Sequence, residues 1–326
     1  MGKVLAIALN TFKEAVRNKV LYFLLIFALL IMGFSTFISD LSIAAPEKLI
    51  KDLGLASIDF FGFLIAVFVG IYLIYNEIER KTIYTIVSKP IDRHQFVLGK
   101  YFGLLITIYV NMAIMSIFFF AVLYFRDATT HEKIMDLINP EVNGVRQQIE
   151  NAESVYYWYH FKMFFVACAK AVITLFGYSE PITFHLMRVI GMSALGLAII
   201  TAFAILYSTF STPTLSAVFT FLTFVVGNLC EDLLRYAERL ARNAGGLENL
   251  SGPDVLKYWF VTGAMHITPN LALFNKRSEA IYDKWDVMAQ TERFVAIDPV
   301  QVLYGLVYVG GVLCLSCLIF NRRNFK

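Results

Sequence analysis

Apolar residues along this chain gather into six long runs, and polar residues gather between them. The runs are Leu21–Ile38, about Leu55–Tyr75, Tyr101–Phe125, about Val189–Phe210, about Pro213–Cys230 and about Pro299–Phe320. They carry almost no charge, with Asp59 near the outer end of the second. At about 1.5 Å per helical residue the first covers roughly 27 Å, close to the ~30 Å hydrocarbon core of a bilayer. The pattern predicts an all-α polytopic membrane protein with six transmembrane helices. Before the first run, KVLAIALNTFKEAVRNK sets Val4, Leu5, Leu9, Phe12 and Val16 on one helical face and Lys13, Glu14 and Arg17 on the other. Residues 1–19 therefore read as an amphipathic elbow helix in the membrane plane, not as a signal peptide.

Charge orders the spans. Lys and Arg concentrate in the N-terminal helix (Lys3, Lys13, Arg17, Lys19), in residues 76–103 and in the tail (Arg322, Arg323, Lys326). Short basic pieces stay in the cytoplasm. Both termini are thus expected to be cytoplasmic, in a multi-pass protein of the cell (inner) membrane. Two long segments, 126–188 and 231–298, are expected outside as extracytoplasmic insertions. In the first, Phe161 to Tyr178 has an apolar face with Lys162 and Lys170 off it, which favours an interfacial or packed helix over a seventh span. The second opens as EDLLRYAERLAR and breaks at Gly245-Gly246, Gly252-Pro253 and Thr268-Pro269-Asn270. Mixed helix and loop, tucked partly against the outer leaflet, is expected there.

Composition agrees. Of 326 residues 58% are hydrophobic and 16% charged, against about 45–50% and about 25% in a soluble domain. The net charge of +3 comes with no basic stripe of interleaved aromatics, so no nucleic-acid partner is expected. Cys168, Cys230, Cys314 and Cys317 lie in or beside apolar stretches, which argues against a secreted disulfide framework.

Catalytic constellations are missing. There is no GxxxxGK[ST] phosphate loop, since Gly99-Lys100 is followed by Tyr101. No HExxH, calcium loop or GxSxG occurs, and the five histidines are scattered. No catalytic residue and no bound cofactor is expected. Ion-coupled carriers hold ionisable groups in mid-membrane. Here the deeper polar residues are Asn111 and Asn228, read as helix-packing groups, so any energy source lies elsewhere. Cys314 and Cys317 share one helix face and are weak candidates for a soft metal, with ordinary helix packing as the alternative. Met112 and Met115 carry the same ambiguity. Arg235, Arg239 and Arg242 form either a solvated face or a contact to lipid headgroups.

The segment between the second and third spans is the most distinctive. Glu77, Glu79, Arg80 and Lys81 carry the second span into water, and Thr82, Ile83 and Tyr84 begin a short apolar-rich stretch that passes Ser88 and ends at Pro90. Asp92-Arg93 then restarts a helix. Residues 77–93 can offer apolar anchors to a partner's groove while their charges set register.

At this point the chain resembles the membrane subunits of ABC-2 type exporters, and within them the branch with the nitrous-oxide-reductase copper-maturation and gliding-motility permeases. The resemblance rests on ALNTFKEAVRNKVLY (8–22), EIERKTIYTIVSKPIDRHQFVLGKYFG (77–103), ITPNLALFN (267–275) and FNRRNF (320–325). It implies one transmembrane domain over 1–326, paired with a second copy or a paralogue and with two ABC ATPase subunits that hold ATP and Mg. It makes 77–93 the coupling helix, moving spans one, two and five around a central path. The long outer segments depart from compact drug exporters. They imply a hydrophobic or lipid-linked substrate, membrane lipid or an extracytoplasmic protein as partner, or a non-transporting mechanotransmitter.

Overall fold

The computed structural model describes residues 2–41, 46–79, 92–138, 166, 181–243, 252–282, 285–286, 291–292 and 297–322. It is helical almost throughout. The helices are α1 (Gly2–Val16), α2 (Lys19–Leu41), α3 (Pro46–Glu79), α4 (Arg93–Ile138), α5 (Pro181–Phe210), α6 (Pro213–Asn228), α7 (Cys230–Asn243), α8 (Pro253–Ile267), α9 (Arg277–Tyr282) and α10 (Pro299–Arg322). A 3-10 turn spans Ala272–Phe274, and a two-residue strand pair joins Trp285–Asp286 to Thr291–Glu292, with Trp285 opposite Glu292.

Among the described residues five helices are long and apolar enough to cross a membrane: α2, α3, α4, α5 and α10. The count is six if α6 and α7, which meet at a 60° bend, are taken together as one broken span. Pro213 at the first turn of α6 fits a helix start, where its missing N–H costs nothing. Alone, the 16 residues of α6 reach only about 24 Å. The expected fifth span therefore ends in a broken helix rather than running straight out.

Three helices extend past their expected limits. α3 begins at Pro46 rather than near Leu55, which places Asp59 more than three turns inside it. α4 runs on to Ile138 rather than ending at Phe125, and α5 begins at Pro181 rather than near Val189. The Phe161–Tyr178 run and Cys168 lie outside the described residues, apart from Val166.

Apolar burial gives little drive between helices in lipid, so close packing and satisfied polar groups must hold them. α3 and α5 form the centre of the bundle, whereas α2 and α10 lie at its edge with most of their apolar surface exposed. Phe63 stacks on Phe224 at 4.0 Å between centroids, tying α3 to α6. Several buried hydroxyls are satisfied within their own helices: Thr107 donates to the Gly103 carbonyl, Thr201 to that of Leu197, Thr220 to that of Ser216 and Ser316 to that of Val312. Between helices, Tyr207 and Thr223 share a 2.9 Å hydrogen bond, and Tyr101 donates to the Ala198 carbonyl at 3.3 Å.

Residues 268–282 do not merely rest against the bundle; they enter it. Leu271, Phe274, Ala280 and Ile281 are buried. The Leu271 N–H caps the end of α6 by donating to Gly227 O at 2.9 Å, and the Asn270 N–H donates to the Tyr304 hydroxyl at 3.1 Å. Leu271 and the Pro269 carbonyl sit so near Gly227 that a Cβ there would come within 2.8 Å of each. Arg277 closes the contact through a 2.9 Å ion pair to Asp52 on α3.

Candidate functional site

Two regions carry side chains with work to do, one at each end of the bundle. At the first end, α1 lies along the start of α4. Gly99 and Gly103 form a G-x-x-x-G step whose bare backbone admits α1. A Cβ at Gly103 would lie 2.6 Å from both the Ala8 carbonyl oxygen and Thr11 Cβ, and one at Gly99 would lie 2.6 Å from Ile7 Cβ. Glu14 reaches across to Lys100 at 3.7 Å, and the Lys100 ammonium also lies 6.0 Å from the centre of the Phe96 ring. Phe96 in turn stacks on Phe320 at 5.7 Å, so the last turns of α10 meet the same end of the bundle.

Of the residues expected to meet a partner ATPase, Glu77, Glu79, Asp92 and Arg93 fall among the described residues, at the end of α3 and the start of α4. Glu77 and Glu79 occupy the last turn of α3. Arg80, Lys81, Thr82, Ile83, Tyr84, Ser88 and Pro90 lie outside the described residues. Asp92 stands just before α4, its carbonyl accepting from the Gln95 and Phe96 N–H groups at 3.0 and 3.2 Å, and its carboxylate accepting from Gln95 Nε2 at 3.0 Å. Arg93 is the first residue of α4. In the chain, segment 80–91 follows α3 and precedes α4, and α4 carries α1. The glycine pair escaped notice in the sequence, although its small-xxx-small spacing was there to be read.

About 30 Å along α3 from Glu79, at the opposite end, Asp59 faces a cavity of ≈ 370 Å³. α3 gives it Ala56, Asp59 and Phe60; α5 gives Ser193, Gly196, Leu197 and Ile200; α6 gives Phe224 and Asn228. The inserted segment closes it with Leu271, Phe274, Asn275 and Arg277. The Ser193 hydroxyl lies near the Asp59 side chain, and the Arg277 guanidinium lies within electrostatic reach. Asn228 spends one amide hydrogen on the Phe224 carbonyl at 2.9 Å. The only sequence signal for this site was a lone carboxylate in an apolar run; its partners come from three distant segments.

The remaining candidates are not brought together. Cys314 is exposed and Cys317 half-buried on α10, and no group of three or more His, Cys, Asp or Glu side chains suited to a metal occurs among the described residues. Met112 and Met115 are core residues of α4. Asn111 is buried on α4 and donates to the Thr107 carbonyl of its own helix at 2.8 Å. Arg235 pairs with Glu231 at 3.5 Å and with Asp232 at 3.9 Å on its own helix.

A profile described as ABC-2 family transporter protein matches residues 5–325, nearly the whole chain. The chain belongs to the ABC-2 transporter family. No curated protein sequence matches it significantly. As an ABC-2 permease it is a membrane component of an ABC transporter, and the family implies partnership with an ABC ATPase subunit.

Proposed function

We propose that this chain is the membrane-spanning permease subunit of an ABC-2 transporter that exports or extrudes a hydrophobic or lipid-linked substrate. A separate ATPase supplies the energy and holds ATP and Mg, while this chain has no ATPase site of its own. Residues 77–93 are the coupling segment, with Glu77, Glu79, Arg80 and Asp92 fixing register in the ATPase cleft. A second copy or a paralogue completes the membrane unit. The α1 end faces the cytoplasm, since Lys3, Lys13, Arg17 and Lys19 cluster there and the Phe96–Phe320 stack brings the C-terminal helix to the same side.

One observation carries this reading. The loop is bracketed by α3 and α4, and α4 is locked to α1 across Gly99 and Gly103. A push on the loop therefore moves three elements as one. The test is Glu79→Arg combined with Arg80→Glu. The double reversal is expected to abolish co-purification of the ATPase and ATP turnover by the complex. Assembly and turnover at the unmodified level would remove the coupling role.

The buried segment 268–282 favours one second reading. It links the outer segment to α3, α5 and α6, so the same motion would reach an extracytoplasmic protein without any cargo. ATP turnover that depends on such an outer protein and needs no substrate would mark a mechanotransmitter.

A further inference from the structure

The cavity beside Asp59 belongs to neither the coupling segment nor any catalytic set, and its chemistry narrows what it can hold. Its walls are mainly apolar, with the rings of Phe60, Phe224 and Phe274 around it, and its size falls within the range of small-molecule sites. Charge at its polar side is unbalanced. Arg277 is committed to Asp52 at 2.9 Å, so two carboxylates, Asp52 and Asp59, share one guanidinium. Among the described residues on that side, the two carboxylates outnumber the guanidinium by one, and Asp59 is the carboxylate that lines the space. Phe60, one of the lining rings on α3, is 51% exposed.

We propose that this cavity binds an amphiphile through its ammonium head, which sits at Asp59 while the alkyl part runs past Phe60 and Phe224. The aromatic faces add attraction for the cation beyond the carboxylate itself. Binding is a property of this chain alone. It is tested without an ATPase, and its failure leaves the permease reading standing.

The probe is radiolabelled dodecylammonium, measured by equilibrium binding to the full chain in dodecyl maltoside, with dodecanol and dodecyl sulfate as competitors. Saturable binding near one per chain is expected. Asp59→Asn keeps the shape and is expected to weaken it about tenfold or more, the loss of a charge-assisted contact. Ala56→Leu fills the space while keeping the Asp59 carboxylate and is expected to abolish binding. Dodecanol and dodecyl sulfate are expected to compete poorly. Equal binding in wild type, Asp59→Asn and Ala56→Leu would overturn the site, as would dodecanol competing as well as unlabelled dodecylammonium. Repeating the measurement with phosphatidylethanolamine added identifies the source: competition points to a membrane lipid's amine, and its absence to a soluble amine amphiphile.

Discussion

Gly103→Ala and Gly310→Ala are the same chemical change and should move stability in opposite directions. Both glycines lie inside helices, where alanine is favoured by about 0.8–1.0 kcal/mol. Around Gly310 on α10 there is open space, so that gain is expected nearly whole. At Gly103 the new methyl would lie 2.6 Å from the Ala8 carbonyl oxygen and 2.6 Å from Thr11 Cβ. Backbone cannot swing aside like a side-chain tip, so α1 must back off by about 1 Å to restore contact distance. Overpacking of this kind costs about 1–3 kcal/mol. Set against the propensity gain, Gly103→Ala comes out about 0–2 kcal/mol destabilising, and the two variants differ by about 1–3 kcal/mol. At about 2–4 °C per kcal/mol for a chain of this order of size, their melting temperatures should separate by roughly 2–12 °C. The assay is thermal unfolding of the purified chain in one detergent, followed by size-exclusion fluorescence. Equal upward shifts in both variants would mean that α1 is not seated on bare backbone at Gly103, and the transmission argument would lose its joint.

Two further outcomes concern the inserted segment. Phe274→Ala removes a ring that is 2% exposed and packed near Tyr304, and should cost about 3–5 kcal/mol; a melting temperature within 2 °C of wild type, measured the same way, would show that the segment does not brace the bundle. Arg277→Ala should cost only about 0–1 kcal/mol through the Asp52 pair, since Arg277 and Asp52 are 33% and 37% exposed, and Arg277→Lys, which keeps a positive charge beside both Asp52 and Asp59, should recover most of what is lost; a larger loss that Arg277→Lys leaves unrepaired would show that Arg277 acts other than through its charge.

Hydropathy and charge in the sequence were enough to define the membrane class, the positions of the spans and the amphipathic first helix, because each depends on residues close together in the chain. The absence of a phosphate loop and the charged stretch after the second span pointed in the same way to a permease driven by a partner. Helix ends were less legible. Polar residues such as Lys51 look like loop until an ion pair with Glu47 and burial against neighbours pay for their place in α3. The sequence ended the fifth span at about Cys230 and began an amphipathic helix at Glu231, but the 60° angle between them was not readable, nor was the capping of Gly227 by the Leu271 N–H from a distant segment. The cavity needed tertiary structure for the same reason. Asp59, Ser193, Asn228 and Arg277 belong to four separate segments, and only the packing of α3, α5 and α6 under the inserted loop gives them a common space. Local pattern sets which residues avoid water; which of them meet is decided by long-range contacts that no stretch of sequence contains by itself.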